Sequence, residues 1–370
     1  MKNPSGPRRL LIGLAAMAAA SLVQAQGQPQ PQPQPAVDGT AAEQRQQTQL
    51  QPGNNAPVWR EVHSGEANYT SIKGRETEVL IQPQARFSGQ KSFTTAGEAW
   101  RKFRNGTVSF YGGWLVALVA LALAAVYFAK GPIKLSGKPT GRMIERFNSP
   151  ERVAHWCMGI SFVVLGASGL IMLFGKYVLL PVIGYTLFGW LTALGKNLHN
   201  FVAPFFILST LVFIVMYVRD NLPKLVDFDW LFKAYAVLMR GEHVPSGRFN
   251  AGEKGWFWVG VVGLSIIVSV SGVVLLFPNF DQPRATMQYA WIWHASAAIL
   301  FISMSLFHIY MGTIGMEGAY RAMRDGVVDE TWAKEHHSLW YEEVMSGKRP
   351  GRGAASGGAV PAGAPHQKQD

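Results

Sequence analysis

Two histidines interrupt the uncharged stretch WIWHASAAILFISMSLFHIYMGTIG, residues 291–315: His294 near one end and His308 near the other. At about 100° per residue their spacing places both imidazoles on nearly the same helix face, roughly 21 Å apart along the axis. Imidazole is a common metal ligand, and ionisable groups within apolar membrane segments are costly and mark function. One helix offering an imidazole near each membrane surface points to two stacked haems, given partner histidines elsewhere. Two are available: His155 opens the apolar run 153–174, and His199 stands just before the run 201–218.

The elements that must position these rings follow from composition. The chain has 370 residues, 48% hydrophobic and 15% charged, with a formal charge of +11. Long uncharged runs place it in the membrane class. Lys and Arg cluster beside those runs, so topology accounts for them better than a nucleic-acid-binding face does. Cys157 is the single cysteine, which excludes an internal disulfide, a Cys-ligated iron–sulfur cluster and a CxxCH haem attachment. It is read as a small buried apolar residue. Haem would therefore be held by histidine alone.

Five spans are expected, at 108–128, 153–174, 201–218, 256–277 and 291–315. Residues 1–25 read as a secretory signal peptide with cleavage after Ala25, and 26–57 as a disordered Gln/Pro-rich linker. Residues 58–107 form an exported segment, 108–130 a first transmembrane helix, and 319–370 a tail that is disordered after about 346. With the N-terminal segment periplasmic, the basic loops after residues 130 and 219 and the C-terminus lie in the cytoplasm of an inner-membrane protein. The segment 177–195 is long enough to cross. Crossing would move the second basic loop outside, and Pro181, Gly184 and Gly189 weaken it as a helix, so it is read as an interfacial or re-entrant excursion.

Topology then sorts the four histidines by depth. His155 and His308 form a cytoplasmic-side pair, and His199 and His294 an external-side pair. Six-coordinate haem carries electrons rather than binding substrate. The plainer alternative for each ring is an interhelical hydrogen bond. His336 and His337 read as a solvated surface pair, and Glu253 as a solvated loop carboxylate with a proton-relay role as the sharper alternative. No internal repeat with broken helices is seen.

From about Arg146 to Glu343 the chain resembles the gamma (cytochrome b) subunit of membrane-bound formate dehydrogenases. The resemblance rests on RFNSPERVAHW at 146–156, LHNFVAP at 198–204, RFNAGEKGWFW at 248–258, IWHASAAIL with HIYMG at 292–312, and ETWAKEHHSLWYEE at 330–343. It implies an all-α integral membrane fold, with a four-helix di-haem cytochrome b core (146–318) preceded here by one extra transmembrane helix. It also implies two haem b groups, held by His199 with His294 and by His155 with His308, and a quinone (ubiquinone or menaquinone) site involving Asn250, Gly252 and His308. Its partners would be an iron–sulfur beta subunit, a molybdenum- or tungsten-containing catalytic alpha subunit and membrane lipid, with no nucleic acid. The chain would then be the quinone-reducing, electron-transfer subunit of an enzyme whose formate-oxidising site lies in a partner. Two alternatives stand beside this reading. One is a di-haem subunit of another periplasmic oxidoreductase, such as a hydrogenase or thiosulfate reductase; the other is a haem-free anchor or transporter.

Overall fold

The computed structural model describes residues 84–348 except 279 and 281. The expected signal peptide, the Gln/Pro-rich linker, the exported segment up to residue 83 and the tail beyond 348 lie outside the described residues. In chain order, a short antiparallel pair, β1 (Gln84–Ala85) and β2 (Thr94–Thr95), leads into α1 (Ala96–Lys130). After β3 (Met143–Glu145) come α2 (Ser149–Val178) and α3 (Leu180–Tyr217). The short helices α4 (Val226–Phe232) and α5 (Ala234–Arg240) precede α6 (Ala251–Leu276) and α7 (Arg284–Gly315). α8 (Ala319–Arg324), β4 (Val327–Asp329), α9 (Glu330–His336) and α10 (Ser338–Met345) follow. Helices α1, α2, α3, α6 and α7 are long and apolar enough to cross a membrane, which makes this a multi-pass membrane protein.

Each helix runs past its apolar stretch because the signals that start it lie in the polar flanks. α2 begins where Asn148 accepts the Glu151 backbone N–H at 2.9 Å and the Glu151 carboxylate accepts the Asn148 N–H at 2.9 Å, a capping box. α1 starts at Ala96, capped by Thr95, so helix already begins within the segment 58–107. The stretch 177–195 does not form a helix of its own. α2 ends at Val178, Gly184 takes φ +74 to turn the chain, and helix is then continuous through 217. An L side chain resists that dihedral, so glycine sits at the reversal. The remainder of the stretch is simply the first turns of a helix roughly 50 Å long.

Lipid gives no hydrophobic drive for helix association, so close contact between small residues matters more. Buried Ser161, Ser168, Ser303 and Ser305 each donate to the carbonyl four residues back, at 2.7–2.8 Å, so their O–H groups need no acceptor on another helix. Gly112 brings α1 onto α7: a Cβ there would lie 2.4 Å from Ile299 Cδ1.

At the end of the bundle where α2 and α6 begin, a polar layer closes over the helices. β3 pairs antiparallel with β4, so the segment after α7 returns to the chain preceding α2. Val328, Trp332, Ala333 and Trp340 are buried there, so the first part of the tail is a folded cover. Beneath it two copies of Arg-Phe-Asn-x-x-Glu, at 146–151 and 248–253, meet face to face. Arg146 Nη2 donates to the Arg248 carbonyl at 3.0 Å, and Arg248 Nη2 to the Arg146 carbonyl at 2.8 Å. Phe147 stacks on Phe249, with ring centres 6.0 Å apart. Asn250 and Glu253 rebuild at α6 the capping box of α2, at 3.0 and 2.8 Å. Both copies are visible in the sequence, yet their relation as a local repeat emerges only from this pairing.

Candidate functional site

The four membrane histidines come together as two pairs at two levels of the bundle. His155 on α2 and His308 on α7 have ring centres 6.2 Å apart; His199 on α3 and His294 on α7 have theirs 6.0 Å apart. Two metal–nitrogen bonds of about 2 Å plus the depth of two rings separate the ring centres of a bis-imidazole metal site by roughly 6 Å. Both pairs fit that spacing. Neither requires a third protein ligand, and among the described residues no cluster of three or more His, Cys, Asp or Glu side chains suited to a metal ion occurs.

The two pairs are held differently. At the far end, His294 Nδ1 lies 2.9 Å from the Val268 carbonyl, so it is the protonated nitrogen and Nε2 is left as the ligating atom. His199 Nδ1 lies 2.9 Å from the Ser168 hydroxyl. Gly272 makes room for His294: a Cβ there would lie 3.1 Å from its Cε1. At the near end, His155 Nδ1 is buried without a hydrogen-bond partner among the described residues, and Trp256 stacks on His308 at 5.1 Å, with its ring plane 15° from parallel. No sequence signal pointed to Ser168, Val268 or Trp256 as the supports of these rings.

His155 and His308 also face a cavity of about 1280 Å³. That exceeds the roughly 300–1,000 Å³ of a pocket for one small molecule, so it has room for a second group beside a haem. Leu115, Val119 and Leu123 of α1 wall it on one side, and Asn250, Gly252 and Glu253 line it at the start of α6. The Asn250 side-chain oxygen is committed to its cap, so its amide NH2 is the group left to donate. Gly252 has a packing reason of its own, because a Cβ would lie 2.8 Å from the Trp230 ring.

The expected solvated pair His336-His337 is instead packed under the cover. His337 is 1% exposed, and its Nδ1 lies 2.8 Å from the Gly247 carbonyl. Both rings stand about the Trp332 side chain, with centres 5.2 Å from it. Burial beneath the basic layer is what a loop-based reading missed: residues far apart in sequence supply the walls.

The sequence model of the prokaryotic cytochrome b561 family matches residues 146–326. The cytochrome b556(Fdn) subunit of the nitrate-inducible formate dehydrogenase of Escherichia coli K12 is 31% identical over 213 residues, 55% of this chain and 92% of that protein. The cytochrome b556(fdo) subunit of formate dehydrogenase from the same organism is 32% identical over 203 residues, 54% of this chain and 93% of its own length. The formate dehydrogenase cytochrome b556 subunit of Haemophilus influenzae is 27% identical over 215 residues, 55% of this chain and 84% of its own. Helix α1 lies outside the residues matched by the family model.

Proposed function

The chain belongs to the family of formate dehydrogenase cytochrome b subunits, and on that premise we propose that it carries electrons across the membrane between two b haems and delivers them to a quinone. His199 and His294 hold the haem on the external side, and His155 and His308 the one near the cytoplasm. Bound haem iron supplies reversible one-electron carriage. The protein's own part is to fix two imidazoles at each level, exclude water and set the two levels roughly 20 Å apart along α7. A periplasmic iron–sulfur beta subunit hands electrons to the external level, having received them from a molybdenum- or tungsten-containing alpha subunit that oxidises formate. Quinone binds in the cavity beside His155 and His308, where the Asn250 amide donates to a quinone carbonyl and Gly252 keeps the wall low. The carrying observation is the pair of facing imidazoles, 6.0 and 6.2 Å between ring centres, stacked at two depths.

The test is a reduced-minus-oxidised absorbance spectrum of the purified chain, with extracted haem counted per polypeptide. Two b-type haems are expected, falling to about one in His155→Ala and about one in His294→Ala. A folded, membrane-inserted chain without haem would overturn the reading in favour of an anchor. In the assembled complex, His199→Ala should abolish quinone-linked turnover and leave formate oxidation by a soluble dye intact. Co-purification with a nickel-containing subunit instead of a molybdopterin-containing one would reassign the donor to a hydrogenase.

A further inference from the structure

Reducing a quinone to a quinol forms two O–H bonds, so each pair of electrons arriving at the His155/His308 level must be matched by two protons. The cavity walls carry a set of groups suited to supply them. At the outer edge, His243 is 34% exposed; its Nε2 lies 2.9 Å from Ser136 Oγ and 3.6 Å from the Glu335 carboxylate. Beside it is His336, its ring centre 5.7 Å from that of His243 and its Nε2 buried with no hydrogen-bond partner among the described residues. Next is His337, whose Nδ1–H is committed to the Gly247 carbonyl, so its Nε2 lone pair faces the Glu253 carboxylate 3.8 Å away. Glu253 ends the set: 39% of its side chain stays open, and it lines the cavity together with Asn250, His308, His336 and His337.

We infer that His243 and Glu335, then His336 and His337, and finally Glu253 form the path by which aqueous protons reach the quinone oxygens. The inference rests on the reading that quinone is reduced in this cavity. At 3.8 Å the His337–Glu253 gap is one that a water bridges, and a polar, roomy wall is where such water is held. Arg146 faces His336, His337 and Glu253, and Lys254, the other cation near Glu253, is tied to Asp227 at 2.7 and 2.9 Å. Burial pushes His336 down from 6.5 to about 4, His243 adding to the push, Glu335 opposing it and Arg146 adding again. Burial, with Arg146 second, holds His337 well below its ordinary value. The two inner rings are therefore neutral at pH 7. A ring with a pKa of about 4 is charged about one part in a thousand there, so it passes a proton without trapping it. The balance closes: two electrons enter at the His155/His308 level, two protons enter at His243 and Glu335, and the quinol leaves to the lipid.

The experiment uses the haem-loaded full chain, reduced with dithionite and mixed with decylubiquinone, the haem band being followed by stopped flow. In His336→Gln and Glu253→Gln the haem content and spectrum should match the parent, while reoxidation slows about 100-fold at pH 8 and less at pH 6. Added imidazole should restore the rate in His336→Gln. Reoxidation at the parental rate at pH 8, or an equal slowing at every pH that imidazole does not relieve, overturns the path. A parent chain whose haem the quinone does not reoxidise sinks the quinone reading itself, which is a different result. A second readout needs no haem: exchange of the His336 ring C2 hydrogen in D2O, measured by mass spectrometry on the unsubstituted full chain. Exchange is expected, and a His336 ring that stays closed while His243 exchanges overturns the path.

Discussion

The two Arg-Phe-Asn-x-x-Glu segments start from the same residues and reach different ends. In one, Glu151 is sealed: Arg248 Nη2 meets both of its carboxylate oxygens at 2.9 and 3.0 Å, Asp220 takes the other arm of the guanidinium at 2.6 Å, and Glu151 is 1% exposed. In the other, Glu253 is open: Arg146 reaches it at 3.3 Å with one nitrogen, and Arg146 Nη1 is buried without a hydrogen-bond partner among the described residues. The guanidiniums respond in opposite directions. Burial lowers Arg146 to about 10, with Glu253 opposing. Burial also acts against Arg248, but Glu151 and Asp220 outweigh it and hold that group above its ordinary value. One copy is a closed ion pair that fastens α2 to α6. The other, incompletely paired, keeps a carboxylate available to the cavity.

Arginine substitutions test the comparison most strongly. Arg248→Met strands Glu151 and Asp220 in the polar layer and should cost about 3–5 kcal/mol, the range for breaking a buried pair. Arg146→Met leaves Glu253 with a cavity to face and should cost about 1–2 kcal/mol. Thermal midpoints in detergent should rank parent above Arg146→Met above Arg248→Met; equal losses would mean that the copies are equally sealed.

The third position of each cap sharpens the contrast. Gly252→Ala drives a Cβ to 2.8 Å from Trp230 and should cost about 1–3 kcal/mol through overpacking. Its counterpart Pro150 is exposed, so Pro150→Ala should stay within about 0.5 kcal/mol. The same thermal assay reads both. A neutral Gly252→Ala would show that the Trp230 contact is slack.

Acid sensitivity is the smallest effect near neutral pH and grows only as pH falls toward about 4. His336 is neutral when folded because its pKa is lowered from 6.5 to about 4. The unfolded chain therefore binds the extra proton first as pH falls below 6.5. The stability from this neutral ring is fully present above 6.5 and drains away until pH reaches about 4. His336→Gln should flatten that part of the stability–pH curve and leave the plateau near pH 8 in place. An unchanged acid slope would mean that the ring titrates normally in the folded chain.

Much of this was legible from one dimension. The five spans among the described residues follow from uncharged length, and the two levels of His155, His199, His294 and His308 follow from where each stands in its span. Helix periodicity alone puts His294 and His308 on one face, because their separation is close to a whole number of turns. The helix ends were less legible: the caps at Asn148 and Asn250 lie outside the apolar runs, and the reversal near Gly184 is a dihedral choice that hydropathy does not register.

The sequence by itself determined a membrane protein with four well-placed imidazoles, since both composition and period are properties of short segments read against a known solvent. Only the tertiary structure decided that His337 is buried with His336 half-buried beside it, that Glu253 opens on the cavity while Glu151 is locked, and that α1 walls the His155/His308 end. Those properties depend on which distant segments share a layer. Arg146 and Arg248 meet across the polar layer, and β4 returns to β3. Whether a charge is paired or free is fixed by its neighbours in space, and spacing along the chain does not record them.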